Sequence, residues 1–170
     1  MRKVITFMLI LLGISLTACT KTSEIQELTK RVESELATFN IEMNTNKIDD
    51  SNSIITITVE LISKAIIDTK LATSSYGEEG IILIRIVGVE DNSIFLYSDI
   101  YDVDDNTMML DVHLNAGDSL IRTMRFSRTL FHEGIDQRAP RPTGNYKIQV
   151  ALNVYEIMWI DTGLFIAVCE

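Results

Sequence analysis

The residue types that could do chemistry are few, and most lack the spacing their chemistry needs. His132-Glu133 begins like a zinc-protease motif, which needs a second histidine four positions on so that both face one metal from a single helix turn. Position 136 is Asp, and Gly134 interrupts the turn. Asp102, Asp104 and Asn106 stand at the first, third and fifth positions of a calcium loop and would aim oxygens at a hard cation. Thr107 occupies the place of the required glycine, and His113 that of the bidentate glutamate. The full motif therefore fails, leaving a looser acidic stretch from Asp99 to Asp105 in which an acidic turn is expected. No Gly-x-Ser-x-Gly elbow and no phosphate-cradling glycine loop occurs. Glu78-Glu79 sits in a turn and reads as a solvated tip. No cofactor, metal or catalytic residue is expected. What departs from the acidic background is a group of five arginines within 20 residues, Arg122, Arg125, Arg128, Arg138 and Arg141. Arginine among apolar and aromatic neighbours is interface-like composition. Arg122 and Arg128 are expected to share a strand face with Leu120, Met124, Phe126 and Leu130, as part of a partner-binding surface.

The two cysteines lie near opposite ends of the chain. Cys19 follows a positive start (Arg2, Lys3), an apolar run from Val4 to Ile14 and the small-residue stretch Ser15-Leu16-Thr17-Ala18. That order describes a secretory signal, and the run is shorter than the ~20 apolar residues a membrane span needs. Leu16-Thr17-Ala18-Cys19 resembles the lipobox of bacterial lipoproteins. The resemblance implies removal of residues 1–18, a diacylglyceryl (palmitate-type) modification of Cys19, and attachment to the cell envelope. Asp is absent after the cysteine, where Thr20 stands. The expected location is therefore the outer membrane facing the periplasm, or the outer face of the plasma membrane in a single-membrane source. A lipid-bearing Cys19 is not available to pair with Cys169. Cys169 lies in the apolar run Leu164 to Val168, with no neighbouring His or basic group to activate it, and reads as a small buried hydrophobe.

Composition narrows the function classes. Removal of residues 1–18 leaves 152 residues, suited to one domain that can bury a core without disulfide staples. Lys plus Arg falls from 15 to 13 against 24 Asp plus Glu, a formal charge of about −11. Such a balance argues against nucleic acid, whose phosphates need a basic face. It also argues against supplementary docking on anionic lipid.

These residues must be positioned by elements readable from periodicity. Residues 19–22 read as a tether. Residues 23–39 read as a helix, with Ile25, Leu28, Val32, Leu36 and Phe39 at spacings of three and four. Residues 40–53 read mostly as a polar linker, with a short strand at Ile41 to Met43. From Ile54 the period changes to two: Ile55, Ile57, Val59 and Leu61 alternate with polar residues. Lys64 to Ser74 favours a second strand over a helix. Ile81 to Val89, apolar on both faces, reads as a covered central strand, followed by strands over Ile94 to Tyr101, Met108 to Leu114 and Leu120 to Leu130. Phe131 to Asn145 reads as a long loop. Tyr146, Ile148, Val150, Leu152 and Val154 mark the cleanest strand. Asp161-Thr162-Gly163 is expected to turn a strand at Ile157–Ile160 back into Leu164–Val168. Seven or more strands with frequent turn signals predict a mainly β fold. An antiparallel β-sandwich over residues 54–170 with one N-terminal helix is the expected architecture. Thr143 to Val150 is similar to the late strand of immunoglobulin-like extracytoplasmic domains, where a glycine turn precedes an aromatic residue.

The expected function is that of a membrane-anchored, non-enzymatic accessory lipoprotein that binds a protein partner in the envelope. In size and layout the chain resembles secretion-system pilotins and pilus-assembly accessories. The alternatives are a carrier or sensor of a small apolar ligand, and an enzyme inhibitor or an enzyme of unidentified type.

Overall fold

The computed structural model describes residues 27–51, 53–72, 77–90, 94–96, 109–127, 129–132, 135–140 and 143–169. For 72, 77, 94–96, 127, 129–132 and 135–140 only the backbone is described. The signal segment, Cys19 and the tether lie outside these residues, as do Asp99 to Asn106, Glu133, Arg128 and Arg141.

The described chain is mainly β, in antiparallel sheets. Its strands are β1 (Thr29–Glu33), β2 (Ala37–Met43), β3 (Lys47–Ile48), β4 (Ile54–Ser63), β5 (Ile67–Ala72), β6 (Ile82–Gly88), β7 (Ile94–Leu96), β8 (Met109–Leu114), β9 (Ser119–Ser127), β10 (Thr129–His132), β11 (Ile135–Pro140), β12 (Gly144–Leu152) and β13 (Ile160–Val168). A 3₁₀ turn covers Gly77–Ile81. One sheet has the order β1-β2-β4-β9, a second β3-β13-β12-β6-β7, and β5-β8 and β10-β11 form two-stranded sheets. The single parallel pairing among the described residues is the short one of β3 with β13.

Period-two patterning gives both larger sheets one apolar face. Phe39, Ile41, Ile55, Ile57, Val59, Leu61 and Phe126 from the first meet Ile82, Ile84, Ile86, Ile148, Val150, Leu164 and Ile166 from the second in one buried cluster. Phe126 and Tyr146 touch across it, ring centroids 6.3 Å apart and tilted by 60°. Ile67, Leu71, Val112 and Leu114 join from β5 and β8. β6 is buried on both faces except at Arg85, as its apolar run requires.

The expected helix over 23–39 is not seen in its described part. Residues 29–33 and 37–43 form a hairpin, closed where the Ser34 amide donates to the Ala37 carbonyl (2.8 Å) and the Ala37 amide donates to Ser34 Oγ (3.0 Å). The physical reason is tertiary. A helix would bury one stripe and leave the backbone edge of β4 unpaired. As a strand, β2 pairs that edge from Ala37↔Ser63 to Met43↔Ile57 and buries Ala37, Phe39, Ile41 and Met43. Burying a large apolar side chain is worth ~1.5–3 kcal/mol. Differences in helix propensity stay below ~0.7 kcal/mol per residue for ordinary residues, so packing decides. The polar stretch read as a linker likewise contains most of β2 and all of β3, although the short strand at Ile41 to Met43 is present.

Two further departures sit in the C-terminal third. The long loop expected over 131–145 contains the β10–β11 hairpin and the start of β12. Asp161-Thr162-Gly163 does not reverse the chain but forms a bulge inside β13. Lys147 pairs with Phe165 and Gln149 with Asp161, so Ile148 faces the extra residues. Thr162 Oγ1 donates to the Ile148 carbonyl (2.8 Å) and accepts from the Leu164 amide (3.1 Å), while Gly163 takes φ +73°. A bulge and a hairpin turn demand the same residue types, glycine at positive φ beside a short polar side chain.

Candidate functional site

The two arginines of the group whose side chains are described, Arg122 and Arg125, do not share one surface. Strand alternation in β9 places Arg122, Met124 and Phe126 inward, and Ile121, Thr123 and Arg125 outward. Arg122 is 3% exposed and donates from Nη1 to the Ile82 carbonyl across the core. The expectation that Arg122 presents a guanidinium to a partner is therefore corrected: an inward position beside two sheets makes it part of the interior. Arg125 is exposed on the outer face of the first sheet, paired in register with Thr56. Arg138 lies on β11, where only the backbone is described, and Arg128 and Arg141 fall outside the described residues. His132 ends β10, again with only its backbone described.

His113 does belong to a cleft. The register of β5 and β8 sets Asp68 opposite His113 and Lys70 opposite Asp111 on one exposed face. His113 Nδ1 lies 2.6 Å from Asp68 Oδ1, and Lys70 Nζ lies 3.2 Å from Asp111 Oδ1. With Asn153, Val154 and Tyr155 these residues line an open cleft of about 630 Å³. The hydrogen bond to Asp68, then its negative charge, raises the His113 pKa above the ordinary imidazole value. The same contact orients the ring. Among the described residues, no group of three His, Cys, Asp or Glu side chains could hold a metal.

The pair makes a pH prediction with a definite sign. A raised folded-state pKa means that its stabilisation is fully present below the unfolded pKa. It is lost as pH rises through the folded value. Asp68→Asn should move the His113 titration down towards the ordinary value, read by NMR of the imidazole protons. An unchanged titration would show that the pair does not form in solution.

A second surface feature lies at the end of the larger sheets reached by the β1–β2 turn and by the 153–159 connection between β12 and β13. Leu36 is 38%, Tyr155 108%, Ile157 43% and Met158 64% exposed. Leu36 and Met158 flank an apolar notch of about 150 Å³ whose other lining includes Phe39, Leu152, Val154 and Ile160, with Glu35 and Glu156 at its rim. The connection is held at both ends. The Asn153 amide donates to the Ile81 carbonyl (2.8 Å), and Arg85 stacks over Trp159 at 4.2 Å while its Nε donates to Gln149 Oε1 (2.7 Å). Burial in this stack lowers the Arg85 pKa. Sequence reading did not single out this surface. Its signal was available in Tyr155-Glu156-Ile157-Met158-Trp159, where apolar residues break the period-two pattern of the preceding strand.

The first described residues lie at the opposite end. The Met43 amide donates to the Leu28 carbonyl (2.8 Å), and the Ala167 and Cys169 amides donate to Asn46 and Ile48 (2.8 and 2.9 Å). Cys169 is buried, as its apolar run suggests, and it is disulfide-bonded. The sequence holds two cysteines. Cys19, the other one, lies outside the described residues. Among the described residues, no helix is long and apolar enough to cross a membrane.

No protein-family model and no curated protein matches the sequence. Solved structures that share some geometry include a β-glucosidase from Listeria innocua in complex with gluconolactone, at 11% identity and a TM-score of 0.38. They also include a β-D-glucoside glucohydrolase from Trichoderma reesei, at 12% identity and a TM-score of 0.39. The alignments cover 79% and 83% of this chain but only 16% and 19% of those chains. Likeness at this level carries no argument about fold family or activity.

Proposed function

We propose that the chain is a lipid-anchored, non-enzymatic accessory protein of the bacterial cell envelope, a β-sandwich of immunoglobulin-like kind that docks an envelope protein. The observation that carries the docking reading is the apolar notch flanked by exposed Leu36 and Met158, with Tyr155 and Ile157 also exposed on the 153–159 connection. Isolated exposed apolar residues are ordinary, but a grouped set beside a preformed notch marks an interaction site. The lipobox resemblance supplies the anchor. The docking surface moves from the arginine segment to this end, because Arg122 is interior.

A carrier of small apolar ligands fits less well. The apolar notch, at about 150 Å³, falls below the ~300–1,000 Å³ of ordinary ligand pockets. The larger cleft is open, and Asp68, Lys70, Asp111 and His113 stand in its lining beside Val112, Val154 and Tyr155.

The described chain begins, at Glu27 and Leu28, at the end opposite the docking surface. Cys19 is eight positions before Glu27, the first described residue. At ~3.3–3.6 Å per residue the chain between them reaches at most about 29 Å. The docking end would face away from the bilayer towards a partner's aqueous part, with the whole domain held close to the membrane. Photo-crosslinking from position 158 in the protein's own membranes, with mass spectrometry of the products, tests this. A specific envelope protein trapped from 158, and not from the outer-face position 125, is the expected result. Failure to trap any protein from 158 would end the docking reading.

A further inference from the structure

We infer that the notch between the β1–β2 turn and the 153–159 connection takes one apolar side chain of a basic segment of the partner. This inference rests on the docking reading above and adds the chemistry of what is docked. The notch is about 150 Å³, the size of an engineered apolar cavity that accepts benzene. It therefore suits one phenylalanine, leucine or methionine side chain. Its floor is rigid core: Phe39 is fully buried and Leu152 nearly so. Its walls are fixed before anything binds. The Lys64 amide donates to the Leu36 carbonyl (2.8 Å), Ser34 closes the turn, and the Asn153 and Trp159 contacts hold the facing connection. Preorganised walls lower the ordering cost of docking.

Charge selects the occupant. Glu33, on the same turn, is already engaged by Lys64 (2.8 Å) and Arg31 (3.1 Å), which lower its pKa. Glu35 and Glu156, at the notch itself, are exposed and make no ion pair with another described residue. Two uncompensated carboxylates beside an apolar hollow repel an acidic segment and anionic lipid. They favour lysine or arginine on either side of the inserted group, and the excess of 24 Asp plus Glu over 15 Lys plus Arg in the whole sequence steers such a segment inward.

The test uses the mature lipidated protein in zwitterionic nanodiscs. The probe is a short fluorescent peptide with one phenylalanine between lysines. Its controls carry serine for the phenylalanine, or glutamates for the lysines. Anisotropy should show the lysine peptide binding about tenfold tighter than either control, the scale of two partly desolvated ion pairs or one buried ring. In the double variant Glu35→Lys/Glu156→Lys the preference should pass to the glutamate peptide. Equal binding of the three peptides, or a lysine preference unchanged in the double variant, would overturn the inference. The parent reading is judged separately. If the crosslinker at 158 traps an envelope protein but the lysine peptide does not bind, only the basic-segment inference falls. If nothing is trapped, the docking reading falls with it.

Discussion

Arg122→Ala is expected to destabilise the domain by about 3 kcal/mol, read as a lower urea midpoint with an unchanged slope. Arg122 is an interior cation whose Nη1 donates to the Ile82 carbonyl of the facing sheet. A hydrogen bond from a charged group contributes ~1.5–3 kcal/mol, and leaving its buried acceptor unsatisfied adds a desolvation cost of similar size. Removal of the long side chain also leaves a void between the sheets. The contrasting outcome is informative. An arginine on a partner-binding face would change stability by less than ~0.5 kcal/mol and weaken partner capture instead. Arg122→Met, which keeps much of the volume but not the charge, should recover part of the loss. A stability within ~0.5 kcal/mol of the parent for Arg122→Ala would return Arg122 to the surface.

The second large effect concerns Cys19. A Cys19→Ala variant is expected to lose palmitate incorporation and to leave the membrane fraction for the soluble one. Burial of acyl chains is worth ~0.8 kcal/mol per methylene, and two chains make an anchor stable where one does not. The excess of 24 Asp plus Glu over 15 Lys plus Arg gives no net attraction to anionic lipid with which to replace them. Intact mass separates the two chemistries open to this sulfur. A diacylglyceryl thioether adds acyl mass and survives reductant, whereas a disulfide to Cys169 adds none and opens with it. Retained palmitate labelling in Cys19→Ala would end the anchor proposal. So would a membrane-extracted protein whose mass is that of the bare chain closed by one disulfide.

Strands were legible where each residue's partner lay on a regular neighbour. Alternation over Ile54 to Ser63 and Tyr146 to Leu152 named the inward residues correctly, and the doubly apolar 82–88 segment read as a covered strand. Local signals failed where two structures want the same residues. Leu28, Val32, Leu36 and Phe39 satisfy helical spacing, yet Phe39, Ile41 and Met43 also alternate, and only the open edge of β4 chooses between them. Asp161-Thr162-Gly163 suits a turn or a bulge, and the length of β12 beside it decides.

The candidate surface shows the same division. By itself the sequence determined the acidic balance, the lipobox pattern at Cys19 and the mainly β character, because charge, short motifs and period-two burial are local properties. It also supplied Asp68, His113, Glu35, Glu156 and Met158, but not their neighbours. Tertiary structure alone set His113 against Asp68, turned Arg122 into the core and brought Leu36 beside Met158. Each of those depends on strand register or on two connections meeting at one end of the sheets. A one-residue slip in register would exchange the faces of every side chain involved. Which residues more than a hundred positions apart come to line one notch, such as Leu36 and Met158, is decided by which edges remain to be paired.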